Sequence, residues 1–361
     1  MKYDFVYTIL IIFHLIFFLN LLTISRLDYK SPSQQHQPPP IQIQNTRPSK
    51  YDIDPQSQEL NKIPILDSKD ENRDKKDDRN TVVSSIDSNS KYLYLTFTNN
   101  DKYIKGIKVL KQSLIESNTH IDLMVMVTKE VSSELAKDLE MMGCIINLIE
   151  MVEIPNGITI QLDRWRPAFT KFKAWELVQY EKVIWLDSDM LVMKNLDHLF
   201  NSINILEHPE HIYAAVDADA NSCEYKPERL KLINSGILVL SPNMKMFNTL
   251  LDNIVETSKI QKTVNDQDVI NFTIPHWNGL NYPEYGAQVT HCECQDKRLW
   301  NLESTYFIHY TAGLKDLPKP WDFHPDFFRP DNYCIRQLYD LWSSFYLRAE
   351  DTIEQNKKLI N

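Results

Sequence analysis

Asp187 and Asp189 stand two apart directly after the apolar run Val183-Ile184-Trp185-Leu186. Residues two apart on an extended chain point the same way, so the two carboxylates share a face. Carboxylates gathered at one point repel unless a cation lies between them. A hard divalent ion, Mn²⁺ or Mg²⁺, does this and can also grip diphosphate oxygens. The D-x-D spacing alone is weak, because the chain holds four: Asp52/Asp54, Asp187/Asp189, Asp217/Asp219 and Asp266/Asp268. The first sits in the stem, whereas Asp187 and Asp189 follow an apolar strand directly and so emerge at its carboxyl end. Solvated loop carboxylates are the plain alternative.

His309 follows another apolar stretch, Tyr306-Phe307-Ile308. Beside two carboxylates it completes a mixed oxygen and nitrogen set suited to Mn²⁺; alone, such a histidine is more often structural. Lys319, between Gly313 and Pro320, is a candidate phosphate cation, or an ordinary surface lysine. Thr98-Asn99-Asn100-Asp101 follows the first apolar run, where a nucleotide can sit on a helix amino terminus. Plain helix capping explains the same residues. There is no G-x-G-x-x-G or Walker sequence, which disfavours dinucleotide and P-loop chemistry. Asn234-Ser235-Gly236 interrupts the apolar run 232–240, and glycine there permits close approach of a ligand. Asn265-Asp266-Gln267-Asp268 opens a helical segment and offers hydroxyl-binding or capping side chains.

The elements that must position these residues alternate. Residues 92–97, 121–127, 144–149 and 183–186 are continuous apolar strands. Tyr103, Ile107, Leu110 and Leu114 form one helical face, and Val131, Leu135, Leu139 and Met142 another. Phe169, Phe172 and Trp175, three apart, predict a third helix. Such alternation predicts a parallel sheet covered on both faces, with ligands beyond its carboxyl ends. Residues 333–360 predict a helix with Leu338, Leu341, Trp342 and Phe345 as its packing face, covering the sheet or meeting an acceptor.

The rest of the chain carries this head. Residues 5–24 form an apolar run without Lys, Arg, Asp or Glu, behind a tail of residues 1–4. Its length suits a transmembrane signal anchor, and no small-residue cleavage site follows it. Lys2 precedes the run while Arg26 and Lys30 follow it, so charge does not set the orientation. Residues 25–90 hold seven of the 18 prolines and much Gln, Ser and mixed charge, which predicts a disordered stem. The formal net charge of −10 disfavours nucleic acid as a partner. Of the five cysteines, Cys292 and Cys294 form C-x-C, which lacks the second pair of a zinc site; an odd number leaves one thiol over.

Taken in order, TFTNNDKYIKG, RWRPAFTKFKAW, VIWLDSDMLVMKNLDHLF, LINSGILVLSP, NDQDVIN and HYTAG with KPW resemble glycosyltransferase family 8, the group that includes glycogenin. The resemblance covers about residues 92–321. It implies a GT-A fold, with a Rossmann-like mixed sheet flanked by helices in a catalytic domain at 91–361. It implies a UDP-sugar donor, Mn²⁺ and retention of anomeric configuration. It makes Asp187, Asp189 and His309 metal ligands. It places Phe97, Asn99, Asn100 and Tyr103 at the nucleoside, Arg164, Ser188, Gly313 and Lys319 at the donor phosphates, and Lys171, Asp217, Asn234, Asp266 and Gln267 at the catalytic sugar pocket. Expected partners are a glycan or glycoprotein acceptor and the membrane, with a homodimer admitted. The expected location is a single-pass type II protein of the Golgi with a lumenal head. Rival readings are a self-glucosylating primer, in which nothing selects Tyr282 or Tyr285, an inactive sugar-nucleotide-binding protein, and a nucleotidyltransferase.

Overall fold

A computed structural model describes residues 91–202, 210–219, 222–226, 231–311, 317–323 and 333–360. The run at 5–24 and the stem at 25–90 lie outside these residues. Among the described residues no helix is long and apolar enough to cross a membrane.

The strands are β1 (Tyr92–Thr98), β2 (Leu123–Val127), β3 (Ile145–Leu148), β4 (Lys182–Leu186), β5 (Met190–Val192), β6 (Tyr213–Val216), β7 (Ile233–Leu240), β8 (Asn278–Gly279) and β9 (Phe307–His309). The main sheet runs in the order β3-β2-β1-β4-β7-β6-β8, and β5 and β9 form a separate pair. Alternate residues of the same strands feed two cores. Tyr94, Val125, Ile184 and Val239 point into one. Leu93, Leu95, Met124, Val183 and Leu238 point into the other. Both faces are therefore covered, which is why the strands read as unbroken apolar runs.

The first core is closed by α1 (Ile104–Glu116) through Ile107, Leu110 and Leu114, with α2 (Ser133–Met141) beside it. A short helix, α3 (His198–Ser202), adds Leu199 and Phe200. The second core is closed by α4 (Met244–Ile260) and α5 (Asp266–Thr273) together with the segment Asp163–Glu176.

Two readings made from apolar pattern alone are corrected. The sheet is mixed, as the family resemblance implies, and not the parallel sheet that the alternation predicts: β1, β2, β3 and β4 are parallel, but β7 pairs with β4 antiparallel, from Val183↔Leu240 to Leu186↔Ile237. Apolar continuity reports burial on both faces and carries no strand direction. The third helix is a 3₁₀ segment, with Pro167 inside it. A 3₁₀ helix has three residues per turn, so the three-residue spacing of Phe169, Phe172 and Trp175 stacks them in one line.

The carboxyl-terminal helix α6 (Tyr333–Ile360) buries Leu338 and Trp342, with Leu341 and Phe345 packed beside them. It covers α1 and the β5–β9 pair rather than the main sheet, through Val109, Leu191 and Ile308. The cysteines of C-x-C diverge: Cys294 bonds Cys223 and Cys292 bonds Cys334, while Cys144 is free and buried.

Candidate active site

The carboxyl ends of β1 and β4 open into a cleft of about 510 Å³. Asp187 leaves β4 in a turn fixed by its own N–H, which donates to Gly236 O of β7 at 2.9 Å. Asp189 then leads into β5. The small β5–β9 ladder sets Met190 opposite His309, and Tyr310 N donates to Asp189 O at 2.9 Å. Pairing two short strands thus delivers a histidine to carboxylates 120 and 122 residues away by sequence (309 − 189 and 309 − 187). His309 Nε2 lies 3.2 Å from Asp189 Oδ1 and 3.9 Å from Asp187 Oδ2. One ligand atom from each of the three residues falls within 4.8 Å of the others. Gly236 makes room for this: a Cβ there would stand 2.5 Å from His309 Cε1 and 2.7 Å from Met190 Cε.

Two lysines border the cluster. Lys319 Nζ pairs with Asp189 and donates to Tyr310 O at 3.0 Å. Lys171, 3% exposed, lies 3.2 Å from Asp187 Oδ1 and 2.9 Å from Asp266 Oδ2. It also donates to Ser235 O at 2.8 Å and Ser235 Oγ at 2.9 Å. Burial alone would lower the Lys171 pKa, but Asp187 and Asp266 together hold it above the ordinary lysine value. Burial and the neighbouring Asp189 push the Asp187 carboxyl up, although Lys171, His309 and the Trp185 indole N–H at 2.7 Å oppose the rise. Burial would also raise Asp189, yet Lys319 and His309 hold it well below the carboxylate range. The cluster is an electrostatic knot in which added positive charge is welcome at Asp187.

Away from it, the cleft has two ends. Phe97, Asn99, Asn100, Tyr103 and Ser188 line one, and Arg164 is also part of the cleft wall. There Asn100 Oδ1 caps the following turn by accepting from Lys102 N at 3.1 Å. Tyr103 packs edge-on against Trp321, with ring centroids 5.1 Å apart. Burial and Asp189 raise the Tyr103 phenol. Gly106 lets α1 press beneath this end, since a Cβ there would strike Ser188 O and the Trp321 ring. Asn234, Asp266 and Gln267 line the other end. Asp217 stands behind them, accepting from Asn234 Nδ2 and Gln267 Nε2, each at 3.1 Å. Burial raises its pKa.

The cleft therefore gathers all the expected site residues except two. Asp217 touches the lining without being part of it, and Gly313 lies outside the described residues. Sequence reasoning missed the role of Ser235, whose Oγ joins Lys171 to Asp266 at 2.9 Å, and of Trp185, whose indole holds Asp187. The polar break Asn-Ser-Gly in an apolar run was the available signal for the first; Trp185 reads only as core. Asp268 proves to be a cap, closing a capping box with Asn265. Asn271, the asparagine of an N-x-S/T glycosylation pattern with Phe272 and Thr273, spends its amide on Ile233 N and Gln267 O.

Residues 94–324 match glycosyl transferase family 8. The chain belongs to this family. A putative UDP-glucuronate:xylan alpha-glucuronosyltransferase 3 from Arabidopsis thaliana is 29% identical over 70% of this chain and 38% of its own length. Glycogenin-1 of Homo sapiens is 30% identical over 51% of this chain and 48% of its own. The chain thus spans less than half of either relative. Among solved structures, the bifunctional glycosyltransferase WbbM superposes with a TM-score of 0.52 at 15% identity, over 74% of this chain and 52% of that one. That likeness, with the mixed sheet, shows the GT-A fold, and this family 8 member is a glycosyltransferase.

Proposed function

We propose that this glycosyltransferase is metal-dependent and retaining, and moves a hexosyl unit from a UDP-sugar to a hydroxyl of a glycan, protein or other acceptor. The observation that carries the reading is the meeting of Asp187, Asp189 and His309 at the mouth of the cleft, with Lys319 beside them. Two carboxylates and an imidazole fit Mn²⁺ or Mg²⁺ by donor chemistry. Such an ion, when bound, neutralises charge that builds on a departing diphosphate. Lys319 is placed to share that task from the other side of Asp189. Lys171 pairs with Asp187 and Asp266 and holds the two carboxylates in place. Asn234 and Gln267 present amides to sugar hydroxyls. The acceptor oxygen bonds to the anomeric carbon as the bond to UDP breaks, and the acceptor proton passes to the leaving phosphate oxygen. Retention follows the family resemblance, and the UDP donor follows the plant relative's name.

An external acceptor is favoured over self-glucosylation. Tyr282 Oη is bonded to His291 Nδ1 at 3.0 Å, and Tyr285 Oη to His198 Nε2 at 2.6 Å. The two disulfides suit an oxidising compartment. With the apolar run at 5–24, they support a Golgi-lumenal head on a type II anchor.

The test is release of UDP from a panel of UDP-sugars by the full chain. Mn²⁺-dependent release, lost with EDTA and restored by excess Mn²⁺, is expected. Asp189→Ala lowers it by about 100-fold or more. Undiminished metal-dependent release by Asp189→Ala sinks the metal assignment.

A further inference from the structure

Residues 284–288 run along β9 on the edge away from β5. Tyr306 N donates to Glu284 O and His309 N to Ala287 O, each at 2.9 Å, and Gln288 forms a parallel bridge with His309. The backbone of this segment thus shares the register of the candidate metal ligand.

The side chains that follow take hold of a different segment. Gln288 is 3% exposed, and its Nε2 donates to Ala218 O at 3.0 Å. His291 is fully buried, with Nε2 3.1 Å from Asp219 O. A carbonyl can only accept, so this nitrogen donates. Tyr282 Oη closes on the other ring nitrogen at 3.0 Å, and Gly286 leaves room for the Tyr282 ring, which a Cβ there would strike. Cys294 continues the series through its bridge to Cys223. The two carbonyls held in this way are those directly after Asp217.

Asp217 stands where the sheet gives out. β6 ends at Val216, and its ladder with β7 shifts register between Ala214 and Ala215. Asp217 N still donates to Leu232 O at 2.8 Å. The carbonyls of Ala218 and Asp219 lie past the strand, and buried side-chain donors satisfy them instead. Asp217 in turn accepts from Asn234 Nδ2 and Gln267 Nε2. Those contacts leave Asn234 Oδ1 on Gly236 N at 3.1 Å and Gln267 Oε1 on Ser235 N at 3.0 Å. The aim of both cleft-lining amides therefore depends on where Asp217 stands.

We propose that Gln288 is a positioning residue. Its backbone keeps register with His309 while its side chain sets Asp217, so the amides offered to the sugar are held in a fixed place relative to the metal ligand. The inference rests on the UDP-sugar transferase reading and adds to it a residue that does not line the cleft.

The test is a double-mutant cycle on the full chain with Mn²⁺. It reads UDP release from the UDP-sugar that the wild type uses, and UDP binding by calorimetry. Gln288→Met keeps the size of the side chain and removes its amide. UDP alone carries no sugar, so its Kd is expected to stay within about twofold. The kcat/KM for the UDP-sugar is expected to fall by about 10- to 100-fold, as misplaced positioning groups cost. Asp217→Ala should lose activity to a similar degree. The two losses should not multiply: in the Asp217→Ala background, Gln288→Met should cost about twofold or less. A packing role would repeat the full loss there, and that result overturns the inference while sparing the transferase reading. So does a UDP Kd that weakens in step with kcat/KM. Gln288→Glu, of the same shape, runs the same cycle should Gln288→Met fail to fold. Asp217→Ala decides even without either, since full kcat/KM in that variant leaves Gln288 nothing to position. No UDP binding by the wild type overturns the transferase reading and this inference with it.

Discussion

Lys171 is the residue on which most of the site's charge depends. It is buried, and it carries the counter-charge for Asp187 and Asp266 from one Nζ. Removing one partner of a buried ionic group strands the others, which costs more than the pair itself contributes. Lys171→Met fills a similar volume and leaves two carboxylates uncompensated. It is expected to lower stability by about 3 kcal/mol or more and kcat by about 100-fold, read by denaturant melts and by UDP release. A Lys171→Met protein with wild-type kcat would show that the lysine serves packing alone. Residue type alone does not separate Lys171 from Lys173 in RWRPAFTKFKAW; the family resemblance does, and Lys173 is 20% exposed and pairs with its neighbour Glu176. The difference arises because the segment is 3₁₀, so the two lysines point to different sides of a three-fold rod. Asp187, Asp189 and His309 were legible for the opposite reason. Each follows an apolar strand, and strand ends are where a sheet of this kind opens.

At the scale of elements, α1, α2 and α6 are tied by charge around one carboxylate. Asp138 of α2 accepts from Lys108 of α1 at 2.8 Å and pairs with Lys357 of α6 at 3.1 Å, while Lys108 also reaches Glu350 of α6 at 2.9 Å. Burial alone would raise the Asp138 pKa, but the two ammonium groups hold it below its ordinary value. A depressed carboxylate stabilises the fold above its unfolded pKa of about 3.9 and loses that contribution as pH falls through its folded pKa. Asp138→Asn should therefore cost about 1–3 kcal/mol at pH 7, and the gap to wild type should narrow at about pH 3. Urea melts at both values check this; an equal gap at both would mean that Asp138 acts through shape and not charge. The sequence marked α6 and its packing face through Leu338 and Trp342. It did not mark the partner, since an amphipathic face declares that it is buried and not against what. The same limit hid the direction of β7, which is as apolar as the parallel strands it joins.

Over the whole molecule, covalent links bind what the sheet alone leaves separate. The bridge from Cys223 to Cys294 spans 71 residues and that from Cys292 to Cys334 spans 42. The first joins the segment just after Asp217 to the turn Val289–Glu293 that carries His291; the second ties that turn to the start of α6. Spacing in sequence could show that C-x-C is no zinc site but could not pair the cysteines, because the fold chooses the partners. Closing loops of these lengths stabilises a fold by about 2–5 kcal/mol each, so reduction should lower the melting temperature. The pairing also fixes a count. Cys144 is buried, and burial pushes its thiol up to about 11, so it is shielded and protonated at neutral pH. A thiol reagent should find no reactive cysteine in the native chain, one in denaturant without reductant, and all five after reduction. Three thiols in denaturant would remove one bridge. Five would remove both, and with them the support that the disulfides lend to a lumenal location.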